Sequence, residues 1–156
     1  MQDRFKFRYV FAKDFGGKTG ICYKMPIFNL DTITDENFNK IVKSYIDYDY
    51  KLISIEQSTG LRDKHGKLIY EGDLLRYPPK DKDEKTNFVV CEVFFHNNDC
   101  CDTHIGFQMN RFRFQGNLCG IINYGMKYNF IPKNVEKMEV IGNKFQNKEL
   151  LLGKVG

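Results

Sequence analysis

The sequence predicts a mostly β protein, a single domain of 156 residues with one short helix. Three observations support this fold class. The chain contains 14 Phe and 9 Tyr, and aromatic side chains pack well on the pleated, half-buried surface of a strand. Several segments alternate apolar with polar residues, which is the period of a strand with one buried face. Glycines separate these segments, as they do at turns.

The first strand is predicted over residues 4–11, where basic and apolar residues alternate. The aromatic residues of this segment share one face, so we expect them in the core and the basic residues in water. A glycine-rich stretch then interrupts the pattern. Residues 21–30 are expected to return as a second strand, with Pro26 near an edge or outside the ladder.

The one helix is predicted near residues 34–45. Thr34 can accept hydrogen bonds from the free N–H groups of the first turn, as an N-cap does. Asp35 and Glu36 would lie at the positive end of the helix dipole. The apolar residues recur at the spacing that places them in one stripe along a helix; they are Phe38, Ile41, Val42 and Tyr45.

Further strands are expected from residue 52 onwards. Residues 52–55 form one strand and residues 74–77 another. Between them, residues 63–66 predict a tight turn, because Asp is favoured at its first position and Gly at its last. Gly72 predicts a second turn with positive φ. The last strand candidates are residues 88–95, 111–115, 118–124 and 137–141.

Composition and charge narrow the classes of protein to which this chain can belong. The formal net charge is +4, from 24 Lys plus Arg against 20 Asp plus Glu, which permits an acidic partner without requiring one. No apolar run approaches the roughly 20 residues of a membrane-spanning helix, and residues 1–6 lack the apolar core of a secretory signal. We therefore expect a cytoplasmic protein without membrane contact. Its five cysteines, an odd number without a framework, are expected to be reduced.

A family resemblance lies in residues 57–74, of which residues 57–73 fit the pattern Q-x-T-G-L-x-D-x-x-G-x-x-I-Y-E-G-D. This pattern resembles the signature of the YopX-like family of phage proteins. Residues 6–8 and 139–151 are similar to the same family. The resemblance implies a mostly β fold with a small SH3-like barrel, additional antiparallel strands, and a phage or prophage origin, hence a bacterial host cytoplasm. Residues 1–52 would form an N-terminal subdomain and residues 53–156 the barrel part.

The central motif has two interpretations. In the first, it presents a binding surface. In the second, it is a turn scaffold whose glycines and Asp side chains serve the backbone, and turn chemistry explains its three glycines without any ligand. Glu71 and Asp73 as an acid/base pair would lack a nucleophile and an orienting group, so no catalytic residue is predicted. The candidate surface residues are Arg62, Lys64, Tyr70, Glu71 and Asp73.

A metal site is a weaker alternative. Thiolate and imidazole are ligands that Zn²⁺ prefers, and five Cys and His residues fall within residues 91–104. Their spacing matches no standard zinc motif. We therefore predict no metal and no cofactor. The alternative ligand set is Cys91, His96, Cys100 and His104, with Cys101 adjacent.

Nucleic-acid binding is the alternative function. Two segments interleave basic and aromatic residues, and proteins that bind single strands combine cations for phosphates with aromatic faces for bases. The same alternation would place aromatic and basic side chains on opposite faces, which weakens this interpretation. The candidate residues are Arg4, Lys6, Arg8, Arg111 and Arg113.

The function that the sequence favours is a non-catalytic binding or assembly module. Strand-rich chains have edges that can pair with another chain, and closed homo-oligomers are common among soluble proteins. We therefore expect a protein partner or self-association, with a homo-oligomer as the first choice. An enzyme would need a deep pocket with convergent polar groups.

Overall fold

The computed structural model of the protein describes residues 2–76, 87–97, 105–115, 128–130 and 132–151. Within them the fold is mostly β, which confirms the predicted fold class, and a curled antiparallel sheet forms a half-barrel. The half-barrel agrees with the small barrel-like core that the resemblance implies, whereas its likeness to an SH3 domain stays a prediction. The chain divides into an N-terminal unit, Met1–Gly60, and a C-terminal unit, Leu61–Gly156.

The N-terminal unit contains three strands, a helix and most of a fourth strand. In chain order these elements are β1 (Lys6–Asp14), β2 (Ile21–Lys24), β3 (Ile27–Asn29), α1 (Glu36–Asp47) and β4 (Lys51–Arg62). Strand β1 is central, because β2, β3 and β4 all pair with it in antiparallel register. The predicted return of residues 21–30 is therefore confirmed as two short strands on either side of Pro26.

An aromatic core joins this sheet to α1. Tyr9, Phe11 and Phe28 are buried, and partly buried side chains of α1 pack against them. The rings of Tyr9 and Phe28 meet edge to face with centroids 5.3 Å apart. The rings of Phe11 and Tyr45 stack at 4.7 Å. Such pairs contribute about 0.5–1.5 kcal/mol each beyond the area that they bury.

The predicted helix near residues 34–45 is confirmed, with α1 two residues further along. The predicted N-cap is wrong, because Asp35 and not Thr34 caps the helix: the Asp35 carboxylate accepts from the backbone N–H of Asn37. Thr34 instead has its hydroxyl oxygen 3.5 Å from the carbonyl oxygen of Asp31. A carboxylate at this position also suits the positive end of the helix dipole.

The C-terminal unit contains six strands and two short helices among its described residues. They are β5 (Leu68–Tyr70), β6 (Asp73–Arg76), β7 (Asn87–Asn97), β8 (Ile105–Gln115), β9 (Tyr128–Asn129), α2 (Pro132–Val135), β10 (Glu139–Asn143) and α3 (Lys148–Leu151). The strand order of its sheet is β10-β6-β7-β8-β9. The predicted strand at residues 118–124 lies outside the described residues.

Both faces of this sheet carry buried apolar residues. On one face, Cys91, Val93 and Met109 pack in a cluster with Ile69 and other residues. On the other face, Leu74 and Val90 are fully buried, and residues of β10 and α3 pack against them. Because both faces are covered, the sequences of the central strands of this unit contain apolar runs and do not alternate strictly between apolar and polar residues.

None of the helices in the described segments is long and apolar enough to cross a membrane.

Candidate functional site

The first turn of the central motif is built around the buried side chain of Asp63. One carboxylate oxygen accepts from the backbone N–H groups of His65 at 2.8 Å and Lys67 at 2.9 Å. The other oxygen accepts from the N–H of Val140, at 3.0 Å. Asp63 therefore shapes its own turn and also attaches that turn to the beginning of β10, far away in sequence.

The environment of Asp63 favours its charged form. Burial is the largest single influence and raises the pKa of the carboxyl group. The hydrogen bonds from the N–H groups of Val140, Lys67 and His65 lower the pKa, and their combined effect is larger than that of burial. The net result is a pKa below the ordinary value of aspartate. A carboxylate that accepts two or three backbone hydrogen bonds is commonly held charged in this way.

The second turn of the motif uses Asp73 in a similar role. Asp73 is 1% exposed, and its carboxylate accepts from the N–H of Tyr70 at 2.9 Å. Gly72 has φ of 77°, as predicted. Its N–H donates to the carbonyl of Val93, and its own carbonyl accepts from the N–H of Lys144. The turn is thus connected to two neighbouring segments through backbone atoms.

The structure does not place the five candidate residues of the motif surface together. Tyr70 is 4% exposed and Asp73 is 1% exposed, so both are interior residues. Glu71 is half-buried, whereas Arg62 and Lys64 are exposed. Of the five candidates, the two that are exposed, Arg62 and Lys64, both belong to the basic first turn.

That first turn contributes to a charged group that we call the Glu139 cluster, made of Lys64, His65, Arg76 and Glu139. Lys64 Nζ and Arg76 Nη2 both lie close to Glu139 Oε2, at 2.8 Å and 3.0 Å. His65 Nε2 lies 3.9 Å from Glu139 Oε1. Lysine and arginine together lower the pKa of the Glu139 carboxyl below its ordinary value, mainly by hydrogen bonding from Lys64 and then from Arg76.

Three separate chain segments assemble this cluster. Glu139 and Arg76 are direct neighbours in the ladder between β10 and β6. The turn docks beside them, because the N–H of Lys64 donates to the carbonyl of Met138 at 2.9 Å. The sequence offered Lys64 as a candidate, but not His65, Arg76 or Glu139. The signal that could have found them is strand register, which a single sequence does not reveal.

Arg8, a candidate for nucleic-acid binding, is buried. Its side chain is paired with the fully buried Glu56, with Arg8 Nε 2.7 Å and Nη2 2.6 Å from Glu56 Oε2. The prediction that the basic residues of β1 lie in water is therefore wrong at this position. The reason is that β1 buries both faces, as the complete burial of its neighbour Val10 also indicates.

The other candidates for nucleic-acid binding lie in different surroundings. Lys6 forms an ion pair with Asp3 at 2.9 Å. The side chain of Arg4 covers Gly60, where an added Cβ would collide with it. Arg111 and Arg113 belong to β8, opposite Cys91 and Val89 in the ladder, and their side chains lie outside the described part of the structure.

The two described members of the alternative metal ligand set do not converge. Cys91 and His96 are five residues apart in β7, which pairs with β8 in unbroken register, so their side chains leave opposite faces. Cys91 packs in the core cluster with Val93. Cys100, Cys101 and His104 lie outside the described residues. Within those residues, no three His, Cys, Asp or Glu side chains are grouped to hold a metal ion.

Exposed apolar side chains are concentrated in the N-terminal unit. Eleven large apolar residues there are at least 40% exposed, whereas the described part of the C-terminal unit has one, Phe95, at 43%. Ile55 and Leu52 of β4 lie opposite Tyr9 and Phe11 of β1. The eleven are Phe5, Phe15, Ile21, Ile27, Leu30, Ile41, Ile46, Tyr48, Leu52, Ile53 and Ile55.

Comparison with known protein families gives one result. A family model described as YopX protein matches residues 23–152, which is most of the chain and includes the central motif. No curated protein matches the chain.

Proposed function

The chain belongs to the YopX protein family, and from this premise we propose that it is a phage or prophage protein that acts as a non-catalytic assembly module. In this proposal it works in the bacterial host cytoplasm. Its partner is a second copy of the same chain, bound through the exposed apolar surface of the N-terminal unit. A homo-oligomer is the functional form.

The observation that carries the proposal is the uneven distribution of exposed apolar residues. Scattered single apolar residues are normal on a protein surface, whereas a large contiguous apolar patch is typical of an interaction site. Interfaces between identical chains are more apolar than other surfaces. Eleven large apolar side chains within Met1–Gly60 are at least 40% exposed, and we propose that members of this set form such a surface.

Strand β4 supplies the part of this surface with the clearest geometry. Cross-strand partners share a face of the sheet. Leu52 and Ile55 therefore lie on the same face as Phe11 and Tyr9, which α1 covers. Leu52 and Ile55 nevertheless remain 43% and 49% exposed. They extend the aromatic face into solvent, where a second chain could bury them.

The non-catalytic part of the proposal rests on how the motif uses its acidic residues. Asp63 and Asp73 are buried and accept hydrogen bonds from backbone N–H groups. A carboxylate committed to the backbone in this way does not transfer protons to a substrate. The acidic residues of the motif are then part of a scaffold, and the proposed assembly surface lies outside the motif, in the N-terminal unit.

The experiment is a molar-mass measurement by light scattering on the full chain, over a range of concentrations. We expect a multiple of the 18.4 kDa chain mass. The variant Leu52→Ser/Ile55→Ser should shift the mass toward one chain while its circular dichroism spectrum stays unchanged. Phe95→Ser, which removes an apolar side chain of 43% exposure from the C-terminal unit, is the matched control and should keep the oligomer. A mass of one chain at every concentration would refute the proposal.

A further inference from the structure

The turn that carries Lys64 and His65 is held in place by several hydrogen bonds. Its backbone is held by the three hydrogen bonds that Asp63 accepts and by the bond from Lys64 N–H to the carbonyl of Met138. The one acidic residue among residues 62–67 is thus turned inward. The side chains at positions 64, 65 and 67 all point to solvent, so the turn presents basic groups from a fixed backbone.

The charges of the Glu139 cluster do not balance. One carboxylate oxygen, Glu139 Oε2, meets both the ammonium of Lys64 and the guanidinium of Arg76. Two permanent positive charges therefore face one negative charge. The imidazole of His65 adds a further positive charge whenever it is protonated. The cluster as a whole remains positive.

The basic side chains of the cluster are held close together and are still exposed to solvent. The side chains of Lys64, His65 and Arg76 are 39%, 63% and 45% exposed, whereas that of Glu139 is 27% exposed. All three contact the same carboxylate group within 4 Å. The contacts with Glu139 thus keep the three side chains next to one another. Because they are already ordered, they lose less conformational entropy when they bind an anion.

From these contacts we propose that the Glu139 cluster is an anion-binding site for the backbone phosphates of a nucleic acid. An arginine guanidinium matches phosphate oxygens with paired N–H groups, and a lysine ammonium adds a compact charge. Lys67 is also exposed on the same turn, so the positive surface extends beyond one phosphate. This residue set is distinct from the basic strand residues that the sequence suggested, and it does not depend on self-association.

A binding titration on the full chain tests the proposal. The probe is a fluorescent oligothymidylate of about 20 nucleotides, longer than the roughly 4–16 nucleotides of single binding sites. With three or four phosphate contacts, raising the salt from about 50 to 200 mM should weaken binding about 20- to 50-fold. No binding at the lower salt concentration would overturn the proposal.

Single-site variants assign the binding to the cluster. Lys64→Gln and Arg76→Gln should each weaken binding about five- to tenfold at low salt and make the salt dependence shallower. The matched control is Lys40→Gln, which removes the same charge from α1, where Lys40 is 72% exposed and lies 3.7 Å from Glu36. If Lys40→Gln weakens binding as much as Lys64→Gln does, overall charge and not the cluster is responsible, and the assignment is overturned.

Competition experiments distinguish a nucleic acid from other anions as the ligand of the cluster. Duplex DNA and single strands should both displace the probe, whereas inorganic phosphate should do so only at far higher concentrations. If inorganic phosphate or polyglutamate competes as well as the oligonucleotide, the site is not one for nucleic acid. Lys64→Gln should keep the molar mass of the unmodified chain, so that this proposal and the self-association proposal fail or succeed separately.

Discussion

At the scale of single residues, Asp63 shows why a short sequence motif can be specific without being a ligand site. Its carboxylate accepts hydrogen bonds from two N–H groups of its own turn and from the N–H of Val140. A shorter or uncharged side chain could not make all three. Such a structural requirement favours aspartate at this position without any ligand.

The pH dependence of stability should reflect this arrangement. The pKa of Asp63 is lowered in the folded protein, so the carboxylate stabilises the fold at pH values above its unfolded pKa. That contribution is lost as the pH falls through the lower, folded pKa, because protonation removes an acceptor. Urea unfolding of the wild-type chain should therefore show declining stability on the acidic side of pH 4, near the ordinary aspartate value.

The substitution Asp63→Asn tests the same carboxylate directly. Asparagine keeps the size, but its NH₂ group would face the N–H of Val140, donor against donor. We expect the free energy of unfolding at neutral pH to fall by about 2 kcal/mol, and the difference from wild type to narrow in acid. Asp47→Asn, on the exposed end of α1, is the control and should change stability by less than about 0.5 kcal/mol. An equal loss in both variants would contradict the role of Asp63.

The limits of sequence reasoning are also visible in single residues. The turns at residues 63–66 and at Gly72 could be predicted, because turn chemistry is local. The partners of Asp63 on β10 and of Arg8 on β4 could not, since they lie 77 and 48 positions away. The Glu139 cluster was missed for the same reason: its members meet only through strand pairing and turn docking.

At the scale of elements, α1 is the segment that the sequence predicted best. Its apolar stripe packs on the aromatic face of β1, with Phe38, Val42 and Tyr45 against the buried core. Periodicity predicts such a helix because the apolar stripe in the sequence is the face of the helix that packs on the core. The exact N-cap was harder to predict, since Thr34 and Asp35 are both good capping residues and only the backbone geometry distinguishes them.

Substitution of Thr34 and of Asp35, one at a time, should show which of the two residues caps α1. Asp35→Ala removes the carboxylate that accepts from the N–H of Asn37 and should cost about 1 kcal/mol of unfolding free energy. Thr34→Ala should cost clearly less. Chemical unfolding monitored by circular dichroism measures both values. The cap assignment would be wrong if Thr34→Ala were the more destabilising of the two.

Strand β8 is longer than the strand that the sequence analysis predicted. The sequence predicted a strand only at residues 111–115, yet β8 begins at Ile105 and pairs with β7 along its whole length. Its first half does alternate, with apolar residues at Ile105, Phe107 and Met109 and polar or small residues between them. The period of a strand was therefore present in the sequence at residues 105–110 as well, and the predicted strand began too late.

At the scale of the whole molecule, the two units differ in how completely they bury apolar residues. The described C-terminal unit has two clusters with several fully buried side chains. The N-terminal unit has one cluster with three buried residues, and α1 has no buried residue at all. A unit of this size with so small a core gains less stability from folding alone. Its stability should therefore depend on association.

That dependence gives a prediction for thermal unfolding. Association stabilises only the folded state, so the melting temperature of the full chain should rise with protein concentration, by roughly 2 °C for each tenfold increase. In Leu52→Ser/Ile55→Ser the melting temperature should be lower and independent of concentration. Phe95→Ser and Lys64→Gln should keep the concentration dependence of the wild-type chain. A melting temperature that does not change with concentration in the wild-type chain would mean that the N-terminal unit is stable without a partner copy, and the apolar surface would then need a different occupant.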